Sequence, residues 1–91
     1  VMKRLMLAVG VLLGAGAPAA AQDAARAERL VEERGCAACH GPRGVSPVPL
    51  MPSLAGQQAD FTTLQLILFR EGLRQVPAMM ERSRGLTDAQ I

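Results

Sequence analysis

Apolar positions fall into distinct groups along the chain. In residues 5–21 they are nearly continuous, 13 of 17 being hydrophobic. In residues 23–34 they thin out, and Ala27, Leu30 and Val31 are spaced as on one side of a helix among Glu and Arg, with Gly35 just beyond. This pattern predicts an amphipathic helix closed by a glycine. Residues 41–56 show no period and carry four prolines, Pro42, Pro47, Pro49 and Pro52, which excludes helix or central strand and predicts a loop. Helical spacing returns from residue 59 or 60 to Glu71, where Phe61, Leu64, Ile67 and Leu68 share a face and Gly72 marks the end. Residues 73–85, with Pro77 and the Met79-Met80 pair, read mainly as loop. Thr87-Asp88-Ala89-Gln90 then has the form of a capping box, flanked by Leu86 and Ile91 where a hydrophobic staple would sit. A helix is predicted to begin here, and about one turn of it is present, so the final helix reads as incomplete. No segment shows strand alternation, so an all-α domain of three or so helices is expected.

The first group reads as a targeting segment. Lys3 and Arg4 form a cationic start, residues 5–13 a short apolar stretch, and residues 15–21 a run of small residues around Pro18. That three-part pattern predicts an export signal over residues 1–21, cleaved at Ala19-x-Ala21, and a mature domain over residues 22–91. A membrane-spanning helix is the competing reading. The apolar stretch is well short of the roughly 20 residues that a bilayer requires, and Gly14, Gly16 and Pro18 weaken its end. The mature protein is expected outside the cytoplasm, where unengaged thiols tend to oxidise.

Composition sharpens the picture. The 91 residues suffice for one small domain, which excludes a multidomain enzyme. Without residues 1–21, eight Arg balance eight acidic residues and no Lys remains, so no basic surface suggests nucleic acid. Phe61 and Phe69 are the whole aromatic content. A chain of this size with so few large side chains buries little apolar surface alone, and such chains lean on a disulfide, metal or cofactor.

The candidate chemistry is concentrated in five residues. Both cysteines and the single histidine of the chain lie in Cys36-Ala37-Ala38-Cys39-His40. Cys-x-x-Cys-His is the spacing of covalent haem attachment: two thiols add to the porphyrin vinyl groups and the adjoining imidazole reaches the iron. A disulfide alone leaves His40 and the poor core unexplained. A thioredoxin-like pair needs flanking strands that the pattern lacks. A structural zinc site needs a fourth ligand. One covalently attached haem, with its iron on His40, is the cofactor expected.

The opposite axial position then decides what the haem does. With no second histidine, a thioether is the candidate, and thioether ligation favours the ferrous state. Met51 lies in the proline loop, too close to the attachment motif to cross to the other face. Met79 and Met80 lie far enough along the chain, so the pair is the candidate ligand set. The rival reading is a haem sensor or ligand-binding module with an open distal position.

The chain resembles class I bacterial cytochromes c through Cys36-Ala-Ala-Cys-His-Gly41, Pro52-Ser-Leu-Ala-Gly-Gln57, Gln65-Leu-x-x-Phe-Arg-x-Gly72 and Leu86-Thr-Asp-Ala-Gln-Ile91. It is most similar to the small periplasmic type found as halves of dihaem cytochromes and as the cytochrome subunit of flavocytochrome sulfide dehydrogenases. The resemblance implies the cytochrome c fold around one haem, with the C-terminal helix truncated here. It implies Met79, seven residues before Leu86, as the axial ligand, with Met80 as the alternative, and it implies that the Pro52 carbonyl accepts a hydrogen bond from His40. It also implies a periplasmic electron carrier rather than an enzyme, working with redox partner proteins. Arg43, Arg70, Arg74, Arg82 and Arg84 read as solvated charges, any of which can meet a haem propionate or an acidic partner.

Overall fold

The computed structural model describes residues 8–11, 14, 16 and 18–91. The cationic start and much of the apolar stretch of the expected export signal lie outside these residues. The described chain is helical: α1 is Ala19–Glu33, α2 Ala37–His40, α3 Ala59–Arg70 and α4 Pro77–Ser83. No helix among the described residues is long and apolar enough to cross a membrane.

Helix α1 starts four residues before the expected position and runs across the predicted cleavage point. Its end follows the expected glycine signal. Gly35 has φ 67°, its amide donates to the Glu32 carbonyl (3.1 Å), and the Cys36 amide donates to the Val31 carbonyl (3.0 Å). This paired arrangement satisfies carbonyls that the last turn leaves free and requires a left-handed residue, which glycine adopts without a Cβ clash. Cys36 is thereby seated directly on the end of α1. Gly72 closes α3 in the same way, with its amide on the Phe69 carbonyl (3.2 Å) and the Leu73 amide on the Leu68 carbonyl (2.9 Å).

Two expectations are corrected. Residues 73–85 are not mainly loop, because they contain α4. Pro77 occupies the first turn of α4, where a missing amide hydrogen leaves no bond unmade, and the Ala, Met, Glu and Arg that follow favour helix. The buried residue of α3 is Phe69, 6% exposed, whereas Phe61 and Leu64 of the expected buried face are 50% and 52% exposed. The partner accounts for this: α3 packs on α4, and Phe69 and Leu86 are the large side chains buried. Arg74 covers the Phe69 ring, its guanidinium carbon 4.7 Å from the centroid.

The capping box forms as the sequence indicates. The Gln90 amide donates to Thr87 Oγ1 (3.2 Å), and the Thr87 amide donates to Gln90 Oε1 (2.9 Å). Arg70 anchors this segment to the end of α3. Its guanidinium donates to the Leu86 carbonyl (2.9 Å) and pairs with Asp88 (2.7 Å) and Glu71 (2.8 Å). Asp88 and then Glu71 raise its pKa above the usual arginine value. Arg70 is thus a bonded structural residue rather than the solvated charge expected.

Phe69 and Leu86 are the buried large hydrophobic side chains among the described residues. Phe69→Ala should therefore lower unfolding stability by about 3 kcal/mol or more, as for a well-buried phenylalanine. Urea denaturation followed by circular dichroism measures this, and a change below about 1 kcal/mol would show that Phe69 is not the core of the α3–α4 pair.

Candidate functional site

The site begins where α1 ends. The turn at Gly35 presents Cys36 half-buried, and α2 carries Cys39, exposed, and His40, buried, within a single helical turn. Ala37 and Ala38 keep that turn free of bulk. Gly41 leaves α2 with φ 83°, and a Cβ there would collide with the Val45 carbonyl. This glycine is fixed by both its backbone conformation and the space around it.

Residues 41–58 form a loop folded back on α2 by hydrogen bonds that need no regular secondary structure. The Gly44 carbonyl accepts from the amides of Leu54 (2.7 Å) and Ala55 (3.0 Å). The Ser46 amide donates to Ser53 Oγ (2.9 Å), and Ser46 Oγ lies within hydrogen-bond distance of the Cys39 and Val48 carbonyls. These contacts bring the Pro52 carbonyl to His40 Nδ1 at 2.6 Å. A carbonyl can only accept, so Nδ1 carries the hydrogen and the lone pair resides on Nε2. The imidazole is thereby oriented, with its other nitrogen left free for a metal.

A cleft of about 550 Å³ runs beside this turn between α1 and the loop, lined by Val31, Cys36, Ala37, His40, Leu54 and Ala55 among others. The expected inner face of α1, Ala27 and Val31, lines it. Val31, Val48, Leu54, Phe61 and Leu64 all leave much of their apolar surface uncovered by the chain. These residues fit a covalently attached haem in two respects. The donor set is two free thiols beside an imidazole with an available Nε2, and several apolar side chains stay roughly half exposed.

Met79 and Met80 are half-buried on α4, one helical turn or less from its start. Ser83, fully buried, lies one turn on, and its hydroxyl donates to the Met79 carbonyl (2.8 Å). The Met80 methyl lies against Gly72 at the end of α3, 3.9 Å from where a Cβ would stand. Met51 is exposed in the proline loop. The structure therefore brings Cys36, Cys39, His40 and Pro52 into one cluster and sets the methionine pair on a separate helix.

Residues 24–91 match the cytochrome c family. The chain belongs to the cytochrome c family. It is 34% identical over 91 residues to a cytochrome c4 of Pseudomonas aeruginosa, covering 99% of this chain and 44% of that one. A cytochrome c4 of Thiocapsa roseopersicina is 41% identical over 56 residues, 62% of this chain and 29% of that one. A cytochrome c-554(548) of Halomonas halodenitrificans is 34% identical over 74 residues, 78% of this chain and 87% of that one. The chain thus spans less than half the length of the two cytochromes c4. No solved structure gives a significant match. As a class I bacterial cytochrome c, the chain has haem c, covalently attached, as its cofactor.

Sequence reasoning did not find Arg34, whose Nη1 donates to the Arg84 carbonyl (2.6 Å) and reaches the Arg82 carbonyl (3.4 Å). A cation near the end of α1 was the available signal, but nothing in the pattern placed α4 opposite it.

Gly41→Ala should disrupt the turn between His40 and the loop, with a cost of about 2 kcal/mol or more from the left-handed strain and the clash together. Haem-stained electrophoresis of exported protein, normalised to total chain, measures the outcome. Wild-type haem loading in this variant would show that the turn tolerates a side chain.

Proposed function

We propose that this cytochrome c is a periplasmic carrier of single electrons, with Cys36 and Cys39 as the covalent attachment residues, His40 as one axial ligand and Met79 as the other. The observation that carries the reading is the 2.6 Å contact between His40 Nδ1 and the Pro52 carbonyl, which frees Nε2 beside two thiols. When bound, the haem would supply a one-electron ferric–ferrous couple, with Cys36, Cys39, His40 and Met79 as the residues that would hold it.

The chain's own residues hold that environment in place. Pro52 fixes the imidazole ring against rotation, as the resemblance implies for its carbonyl. Cys36 follows a satisfied helix end, and Cys39 is tethered through its carbonyl to Ser46. Between the two methionines, helix geometry favours Met79. Successive residues on a helix point about 100° apart, so two adjacent side chains cannot aim at one atom from the same helix. Met80 is engaged at Gly72, and its sulfur is best read as adaptable filler between α3 and α4. Met79 is the one left to turn elsewhere.

No residue is assigned as acid, base or nucleophile, and the role is that of a carrier rather than an enzyme. The export pattern in residues 1–21 and the compartment in which paired thiols survive only when engaged support a periplasmic location. Redox proteins are the partners implied. The matched span, less than half of each cytochrome c4, supports reading the chain as one haem unit of a dihaem type.

Expression with an export and haem-attachment system should give a chain heavier by the mass of one haem, its N-terminus near Gln22. The oxidised protein should show the weak far-red band of methionine-to-iron charge transfer. Met79→Ala should abolish that band and Met80→Ala should retain it, with reduced Met79→Ala binding carbon monoxide readily. Loss of the band only in Met80→Ala would reassign the ligand, and rapid carbon monoxide binding by the unaltered protein would favour the open-site sensor.

A further inference from the structure

We propose that Arg34 is a positioning residue for the axial methionine, holding α4 at a set distance from the Cys-x-x-Cys-His turn; this rests on the reading of Met79 as ligand. Arg34 is the C-cap of α1, two residues before Cys36. Its Nη1 donates to the Arg84 carbonyl at 2.6 Å and reaches the Arg82 carbonyl at 3.4 Å, across 50 and 48 residues of sequence. Those carbonyls belong to the end of α4, where helix groups lack internal partners and the backbone dipole is negative. A guanidinium suits that place, because one of its nitrogens can offer hydrogens to both carbonyls and the group never loses its charge.

Arg82 answers from the other side. Its guanidinium lies 3.5 Å from where a Cβ on Gly35 would stand, over the residue that joins Arg34 to Cys36. The end of α1 and the end of α4 are thus held together by side chains reaching in both directions. Ser83, between the two carbonyls that Arg34 contacts, bonds back to the carbonyl of Met79. The chain of contacts therefore runs from Arg34 to the end of α4, through Ser83, to the residue that bears the thioether. His40 lies at the other end, four residues beyond Cys36. Arg34 touches neither iron ligand, and its effect is on their separation.

Haem-loaded R34Q and R34K, with R26Q at an exposed position of α1 as a surface control, separate this role from general stabilisation. In R34Q the carbon monoxide association rate of the reduced protein should rise about tenfold over the unaltered protein, because one charge-assisted hydrogen bond no longer opposes departure of the methionine. R34K keeps the cation on a shorter side chain, and should rise by about threefold. The far-red band should weaken in the same order, and R26Q should change the rate by less than about twofold. An unchanged rate in R34Q, or in R34K if R34Q carries no haem, overturns the proposal, as does a fall in melting temperature with the rate and band unmoved. Met79→Ala in the same assay tests the underlying reading separately. If it keeps the band, the ligand assignment fails; if it loses the band while R34Q behaves as unaltered protein, only the role of Arg34 fails.

Discussion

Orientation of one imidazole is the constraint on which the site depends. A histidine on a four-residue helix has little around it to lock its ring, and α2 offers no length over which packing could do so. The Pro52 carbonyl supplies the missing restraint from 12 residues away. That carbonyl is itself delivered by an irregular loop whose shape comes from specific hydrogen bonds: Gly44 accepting twice, Ser46 bridging the Cys39 and Val48 carbonyls, and Gly41 turning where a side chain cannot fit. The four prolines of this segment restrict the conformations it can visit before folding, which lowers the entropy lost when it orders. A loop with almost no apolar burial of its own can in this way serve as a rigid template.

What was legible in the sequence divides along physical lines. The attachment turn, α3 and the Thr87–Gln90 capping box could be read because each rests on local rules: a fixed spacing, a 3.6-residue period, a side chain bonding a backbone group three residues away. Helix α4 was not legible as a helix. Residues 73–85 read mainly as loop, because Pro77 at the first turn of a helix gives no local helix signal and seven residues give too short a window for a period to declare itself. The buried side of α3 was also misjudged. Its periodicity identified an apolar face around Phe61 and Leu64 correctly as a face, but whether that face meets protein or something else is decided by α4, which the sequence reading lacked.

That error is informative about the domain. A helix ordinarily buries its widest apolar stripe against the chain, yet here Phe69 goes inward while Phe61 and Leu64 stay half exposed. With so small a protein core, burial alone contributes little against the conformational entropy of ordering the chain. A large apolar cofactor attached through two thioethers changes both sides of that balance. It offers surface for the uncovered side chains, and its covalent attachment restricts the unfolded chain even before folding begins. Haem attachment and folding are for this reason expected to be coupled more tightly here than in a cytochrome with an extensive aromatic core.

The contacts around the two axial candidates are organised differently, and the difference bears on how each can move. His40 is held through its own ring atom, so any displacement of the imidazole must break the Pro52 bond directly. The backbone that carries Met79 is held by Ser83 within α4 and by Arg34 at the end of that helix. A thioether side chain has several rotatable bonds and no hydrogen-bonding group strong enough to fix it, so a restraint on its backbone is the main one the chain can apply. Under the proposed ligation the imidazole is therefore held at its own ring, whereas the thioether is placed by the backbone of α4.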